Sequence, residues 1–531
     1  MERLVGRSLD YIGDVVTAIG ERKGSTPGQG GGALPGQRLA PSGFTLPVPF
    51  VVTDTGGAFA TNYDIQAAKP VYTNTIYVGP GGADANSGLT YALRVRSLKR
   101  AILAANALGG TVRILADPAT YKYSDVVSSV QASWSGQPQA CNLVIESSTP
   151  GQKIISLCDT AMPAFVATAT DATVYVSTYT TQTPASAVID MANLGVDTDG
   201  VSRPKELTRA FPAATDEATI VAAINAQAAK YGRGAHYLDA TNKKLYVKLI
   251  ANRVPDANLV VTSTGGNANF WLNQTTTSYT VWARDCEFWG CSGGFRVTSS
   301  TTVNQTTTSY TVWARDCEFW GCSGGFRVTS STTVNHAAYL LDCFAGYTGS
   351  SHGFFTSGGP ASLIMQRCGA ACIAADGFNY NGGASLALSV TFIEIDCWSD
   401  RVGQNAAEST DASNNGSSAH TFCRGVRVNG KHTNGTNRAI HDIQDSQSWN
   451  LGVTAGPSRM PVGSGEARAG FACGLLTFTG GAKMWLDRCI TTGVDRDLEA
   501  YAGGTLYAAP NCVLAAGQNA APDGTIGSYA L

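Results

Sequence analysis

The chain has 531 residues, more than the ~250–300 that one globular core holds, so it is either several domains or one elongated repeat. Charged residues make up 14%, below the ~25% of ordinary soluble domains, while 60 glycines accompany many small polar residues. This is the profile of a strand- and turn-rich chain with little helix. The net charge of −2, without a long Lys/Arg run or an ~18-residue apolar stretch, excludes a nucleic-acid footprint and a membrane-spanning helix.

Residues 1–23 place Leu4, Val5, Leu9, Ile12, Val16 and Ile19 at helical spacing among charged residues, which predicts a short amphipathic helix. The Gly/Pro-rich stretch to residue 48 tethers it, so 1–48 reads as a docking segment with a linker. The N-terminus lacks a basic region followed by an apolar one, so no Sec signal is expected and assembly in a cytoplasm is. Residues 49–74 read as a neck. Next come a strand (Thr75–Gly79), a Gly/Asp/Asn loop (81–90), a helix capped by Ser97 and stopped at Gly109-Gly110, and a strand over 109–115. Residues 141–262 carry early coils with an insertion at about 203–262. It holds a helix over Asp216–Tyr231, striped by Ile220, Ala223, Ile224 and Ala228, and a hairpin over Tyr237–Val247.

One repeat is exact: Gln274–Asn304 and Gln305–Asn335 are the same 31 residues. Degenerate copies align on Cys286, Cys317, Cys343, Cys368 and Cys397 at intervals of 25 to 31, and Cys489 follows after a gap holding a weaker coil at 440–446. Residues five and three before each Cys are mostly apolar and point inward with period two. The Cys lies at odd spacing from them, which predicts a corner at the two polar residues before it. Gly294-Phe295, Gly325-Phe326, Gly353-Phe354 and Gly377-Phe378 mark the next corner and supply core aromatics. These patterns predict an all-β parallel solenoid over 75–504 with an internal ladder of reduced Cys, leaving 505–531 as a tail or cap. The 14 Cys show no zinc spacing with His partners, so neither metal nor cofactor is expected.

The entry motif of residues 75–115 resembles the start of pectin-lyase-like right-handed parallel β-helix proteins. The 237–247 hairpin resembles an insertion common in phage-borne and secreted β-helix proteins, and Ala375–Tyr380 with His441–Gly452 resembles β-helix proteins encoded in phage genomes, of the tailspike or virion-spike type. The resemblance implies a virion protein that forms a parallel homotrimer, docks on other virion proteins through its N-terminal segment, binds bacterial surface polysaccharide and in some cases cleaves it. A stand-alone polysaccharide lyase or hydrolase and a purely structural virion decoration are the other readings.

Signatures of the known β-helix enzymes are incomplete. No Asp cluster with a catalytic Arg is present, and Ser351-His352-Gly353 and Ala375-Asp376-Gly377 lack an adjacent Asp pair and an Arg-x-Lys. A looser carboxylate set remains: Asp376, Asp396, Asp400 and Glu408 as candidate catalytic residues, with Glu394 and Asp411 nearby. Asp376 and Asp396 fall on neighbouring coils, within reach of the ~5–9 Å that glycoside hydrolysis uses. Asp396 also holds the corner position of Asp285, Asp316 and Asp342, where a bend alone accounts for it. His420, His432 and His441 are candidate acids or bases. Trp282, Trp313 and Tyr339, four residues before their Cys, are out of phase with the core. They predict an outward aromatic ridge that binds glycan or is covered by another part of the assembly.

Overall fold

The structure is a computed structural model that describes residues 36–48, 51–63, 69–122, 141–158, 162–179, 184–205, 207–263, 270–273, 278–290, 294–298, 309–330, 334–403, 414–459, 468–474 and 481–530. The docking helix expected over 1–23, Glu408 and Asp411 lie outside these residues.

The chain is an all-β parallel β-helix. Among the described residues three long sheets run along it: face 1 with 13 strands, face 2 with 11 and face 3 with 10. Successive coils pair in parallel and in register, so Val281, Val312, Ala338, Leu363 and Phe392 form one buried row inside face 1. Leu98–Leu108 is helical, with Ser97 accepting the Arg100 N–H as its cap. Its Leu98, Ala101, Ile102 and Ala105 pack on Ile76 and Val78 and close the first coil. The stretch read as a tail carries three more coil strands, Val513–Leu514, Asn519–Ala520 and Thr525–Ser528.

From Asp285 to Arg488, each corner between faces 1 and 2 turns on one residue in the left-handed region, not on two. Asp285, Asp316, Asp342, Arg367, Asp396, Asn429, Gly452 and Arg488 hold φ between 50° and 63°. Asp, Asn and Gly tolerate this conformation best, which accounts for most of the series. It also resolves the gap before Cys489: the two coils there turn at Asn429 and Gly452, and 440–442 is a face 3 strand. Inside the corner, Cys286, Cys317, Cys343, Cys368 and Cys397 are free and buried, as the alignment predicts. Phe295, Phe326, Phe354 and Phe378 line face 3, with ring centroids 5.3 Å apart for Phe295 and Phe326 and 5.2 Å apart for Phe354 and Phe378. The glycines before them are needed for space, since a Cβ on Gly353 would lie 2.7 Å from the Gly377 carbonyl oxygen.

The chain covers two of its own faces. Phe44, Val52 and Phe59, with Leu46, Val48 and Tyr63, pack on a row outside face 1 that includes Ile364, Ile393, Trp449 and Trp485. The insertion leaves face 2 after Ile154–Leu157 and returns at Phe270–Asn273, so it is longer than 203–262. It holds the helix Glu217–Tyr231 and the hairpin Ala235–Asp239 with Lys244–Lys248. Its Ile189, Met191 and Val260 pack outside face 2 on Trp289, Trp320, Phe344 and Trp398. Among the described residues, no such apolar cluster joins the exterior of face 3 to another segment.

A cluster of buried charges stands in the lumen around Arg427. There the guanidinium, fully buried, lies 3.2 Å from Glu394 and 3.1 Å from Asp442. Tyr380 and Ser417 donate to Glu394 at 2.9 and 2.6 Å, and His432 Nε2 faces it at 3.4 Å. Arg427 also lies over the Phe392 ring, 4.7 Å from its centroid.

Candidate functional site

The predicted aromatic ridge forms, but largely under cover. Trp313 and Tyr339 stack at 3.9 Å on the outside of face 1. Trp282, in register with Trp313, is buried and has the Lys69 ammonium 5.5 Å from its ring. Tyr63, on the neck segment that covers this face, packs on the same cluster as Tyr339. The neck thus occupies much of the space outside the ridge.

The carboxylates do not converge. Asp396 is exposed at the corner of faces 1 and 2 and accepts from Asn429 at 3.0 Å. Asp400 is on face 2, held by Thr433 at 3.0 Å, Asn434 at 2.6 Å and Arg401 at 3.2 Å. Asp376 sits at the entrance to the face 3 strand Phe378–Asn381. The reason is topological: neighbouring coils bring equivalent positions together, and these three occupy different positions in the coil. His432 is in the lumen and His441 is buried, its Nε2 donating to the Gly474 carbonyl at 2.9 Å. Burial holds the His441 pKa well below the usual imidazole range.

What does converge lies on face 3. The strands Phe354–Ser357, Phe378–Asn381 and Ser417–His420 send Phe354, Phe378 and Ser417 inward, so Phe355, Asn379 and Ser418 form one outward row. Asp376, 2% exposed, anchors this row from the corner. It accepts from the Asn415 N–H at 2.5 Å, Asn379 Nδ2 at 2.5 Å and Ser418 Oγ at 2.8 Å. Burial raises its pKa against the pull of His420 and these donors.

His352 completes the cluster. Its Nδ1 accepts the Asp376 N–H at 3.1 Å, and its ring stacks on Phe355 with centroids 4.8 Å apart. Burial, with the Arg327 charge in support, lowers its pKa to about 4. At neutral pH the ring is therefore uncharged, and with Nδ1 accepting, Nε2 carries the proton. His420 Nε2 approaches Asn379 Nδ2 at 3.5 Å, and burial lowers its pKa as well. The arrangement offers an aromatic platform beside hydrogen-bonding groups of fixed orientation. Asp376 is already saturated with donors, which suits an organiser better than a nucleophile. Among the described residues no three His, Cys, Asp or Glu side chains converge as metal ligands would. The sequence shows Asp376, His352 and His420 individually; the partners Phe355, Asn379, Asn415 and Ser418 carry no signal beyond their place in the coil.

The duplication builds a second pair outside face 2. Glu287 and Glu318 are directly paired across adjacent coils, about 4.8 Å apart along the sheet. Each accepts from its own tryptophan, Trp289 Nε1 at 2.9 Å and Trp320 Nε1 at 2.7 Å. Burial and then the Glu318 charge raise the Glu287 pKa to about 7, against Trp289 and Lys153. A carboxyl that keeps its proton in the folded state longer than in the unfolded one loses stability as pH rises from its unfolded value, near ~4.5, to about 7. Glu287→Gln is therefore expected to stabilise the protein at pH 8 by about 1–2 kcal/mol after solvent screening, with little effect at pH 4.5. Urea unfolding at both pH values checks this, and an equal effect at both would remove the repulsion as its cause.

No protein family and no curated protein matches the sequence. Among solved structures, the chain is similar to one described as a glycoside hydrolase, at TM-score 0.35 and 10% identity over 86% of this chain and 96% of that one. It is similar to XylC in complex with xylose at TM-score 0.35 and 8% identity, over 82% and 69%. It is also similar to pectate lyase Pel9A at TM-score 0.27 and 13% identity, over 78% and 77%.

Proposed function

We propose that this protein is a spike-type β-helix that binds a surface polysaccharide along the exterior of face 3, as a parallel homotrimer carried on a virus particle. The observation that carries the binding reading is the stacked pair of Phe355 and His352, half-buried and backed by the buried Asn379 and Ser418 with His420 beside them, on the face that among the described residues neither the neck nor the insertion covers. An aromatic ring beside a few fixed donors and acceptors is what a sugar, with its apolar ring faces and hydroxyl rim, requires. The Asp376 carboxylate fixes the buried Asn379 and Ser418, which brace the half-buried Phe355 and His352 from beneath, so ordering these two rings adds little cost on binding. Binding is favoured over cleavage because, among the described residues, no second carboxylate stands opposite Asp376 and the His352 Nδ1 lone pair is already in use.

The test is equilibrium binding to a panel of extracted bacterial capsular polysaccharides and lipopolysaccharides. Phe355→Ala and His352→Ala are each expected to weaken binding about tenfold or more, the value of one well-placed contact. Full affinity in both variants would move the site elsewhere. Sizing of the polysaccharide after incubation separates the readings: chains of unchanged length are expected, and shortening would favour a hydrolase or lyase. Light scattering tests the assembly, with a mass near three times the 55.3 kDa chain expected and a monomer excluding the trimeric spike.

A further inference from the structure

We infer that face 3 takes an anionic glycan, one whose carboxylate or sulfate group is received by the Arg327 guanidinium next to Phe355; this rests on the binding reading above. Arg327 belongs to the outward row of face 3, directly paired with Phe355 on one side and with Arg296 on the other. Its guanidinium lies over the Phe355 ring, 4.8 Å from the centroid. The same ring stacks on His352. Arg327, Phe355 and His352 thus form one continuous patch that runs into the polar groups around Asp376.

The charge of Arg327 lacks a counter-charge within the described chain. Its side-chain hydrogen bond goes from Nε to the neutral hydroxyl of Thr329 at 2.9 Å, and no ion pair involving Arg327 exists among the described residues. Burial, then the neighbouring Arg296, lowers its pKa, and no carboxylate acts in the other direction. Further along the same face the contrast is plain. There Arg438 is matched by Glu499 at 2.9 Å, and Arg496 by Glu499 at 2.7 Å. A half-buried cation beside a like charge is unfavourable for folding, and an arriving anion relieves both the desolvation and the repulsion. A guanidinium is also the side chain best shaped for planar carboxylate or sulfate groups. Arg296 and Arg327 are the same residue of the two copies of the 31-residue repeat. The duplication has therefore placed a second cation one coil away, about 4.8 Å along the row.

The experiment is biolayer interferometry of the full chain against immobilised polygalacturonate, dextran sulfate and neutral dextran. Wild type is expected to bind at least one of the two anionic polymers, more weakly as salt rises, and to bind dextran at least tenfold less well. The polymer preferred tells carboxylate from sulfate. Arg327→Gln is expected to lose about tenfold or more on the anionic polymer, while Arg327→Lys keeps part of the affinity because it keeps the charge. Equal binding of dextran and the anionic polymers, or an Arg327→Gln variant as tight as wild type, overturns the inference and leaves neutral glycan binding standing. Absence of binding to all three also overturns it, and the surface-polysaccharide panel then decides the broader reading by itself.

Discussion

Replacing Arg427 by methionine is expected to destabilise the protein by ~3–5 kcal/mol at pH 8, read as a lower urea midpoint. The substitution keeps an unbranched apolar stem, shorter than that of arginine, and removes the cation. It leaves Glu394 and Asp442 facing each other across a lumen from which water is excluded, both fully buried. In the native protein burial disfavours the ionised form of Glu394, yet His432, Arg427 and Ser417 together outweigh it and hold the pKa at about 2. A carboxylate with a lowered folded pKa contributes stability that is present above its unfolded value, near ~4.5, and is lost as pH falls toward 2. Wild type should therefore weaken on acidification through that window. The Arg427→Met variant should behave in the opposite way. Without the cation, burial raises the Glu394 pKa, so its protonation relieves the strain and the deficit shrinks as pH is lowered from 8 to 5. Adding Glu394→Gln and Asp442→Asn should recover part of the loss, because the uncompensated charge and not the missing volume is its main source. A deficit that stays constant between pH 8 and 5 would assign the effect to packing.

Phe319→Ala is expected to cost a comparable ~3–5 kcal/mol. Phe319 is fully buried, stacked on Phe288 at 5.7 Å and 9°, with Phe326 at 5.6 Å and Phe354 at 6.3 Å. Its partner on the following coil is Ala345, which is too small to fill the space left behind. Each coil of a solenoid rests only on its neighbours, so a cavity here weakens the junction between the second repeat copy and the coil after it. Chemical denaturation of the variant measures the loss. A change below ~1 kcal/mol would mean that the neighbouring rings collapse into the cavity.

Much of the fold was legible because a β-helix writes its period into the chain. The recurring Cys, the apolar residues five and three before it and the Gly-Phe pairs each sit at a fixed place in the coil. The lumen of repeated coils imposes the same size and polarity at each such place. The Ser97 cap and the Gly109 stop are local signals, and they bound the helix where the local chemistry predicts. The corner was partly legible: polarity before Cys signalled a bend, but only backbone geometry shows that a single residue in the left-handed region makes it.

The candidate site was legible in fragments. Asp376, His352 and His420 stand out by type, but the distances that join them run between strands 24 to 42 residues apart in the chain. Asp396 looked close to Asp376 because the coil number was readable and the corner was not. The aromatic ridge of Trp282, Trp313 and Tyr339 follows from strand parity alone. What covers it does not, because the neck reaches face 1 by contacts distant in sequence, such as the Phe59 N–H on Asn429 Oδ1 at 3.1 Å. By itself, then, the sequence determined a parallel coil, its inward rows and its cysteine ladder, because these follow from nearest-neighbour periodicity. Only the tertiary structure decided which faces the chain covers, which carboxylates are separated by a corner and where an uncompensated arginine meets the aromatic and polar row of face 3, because each depends on how distant segments pack around the coil.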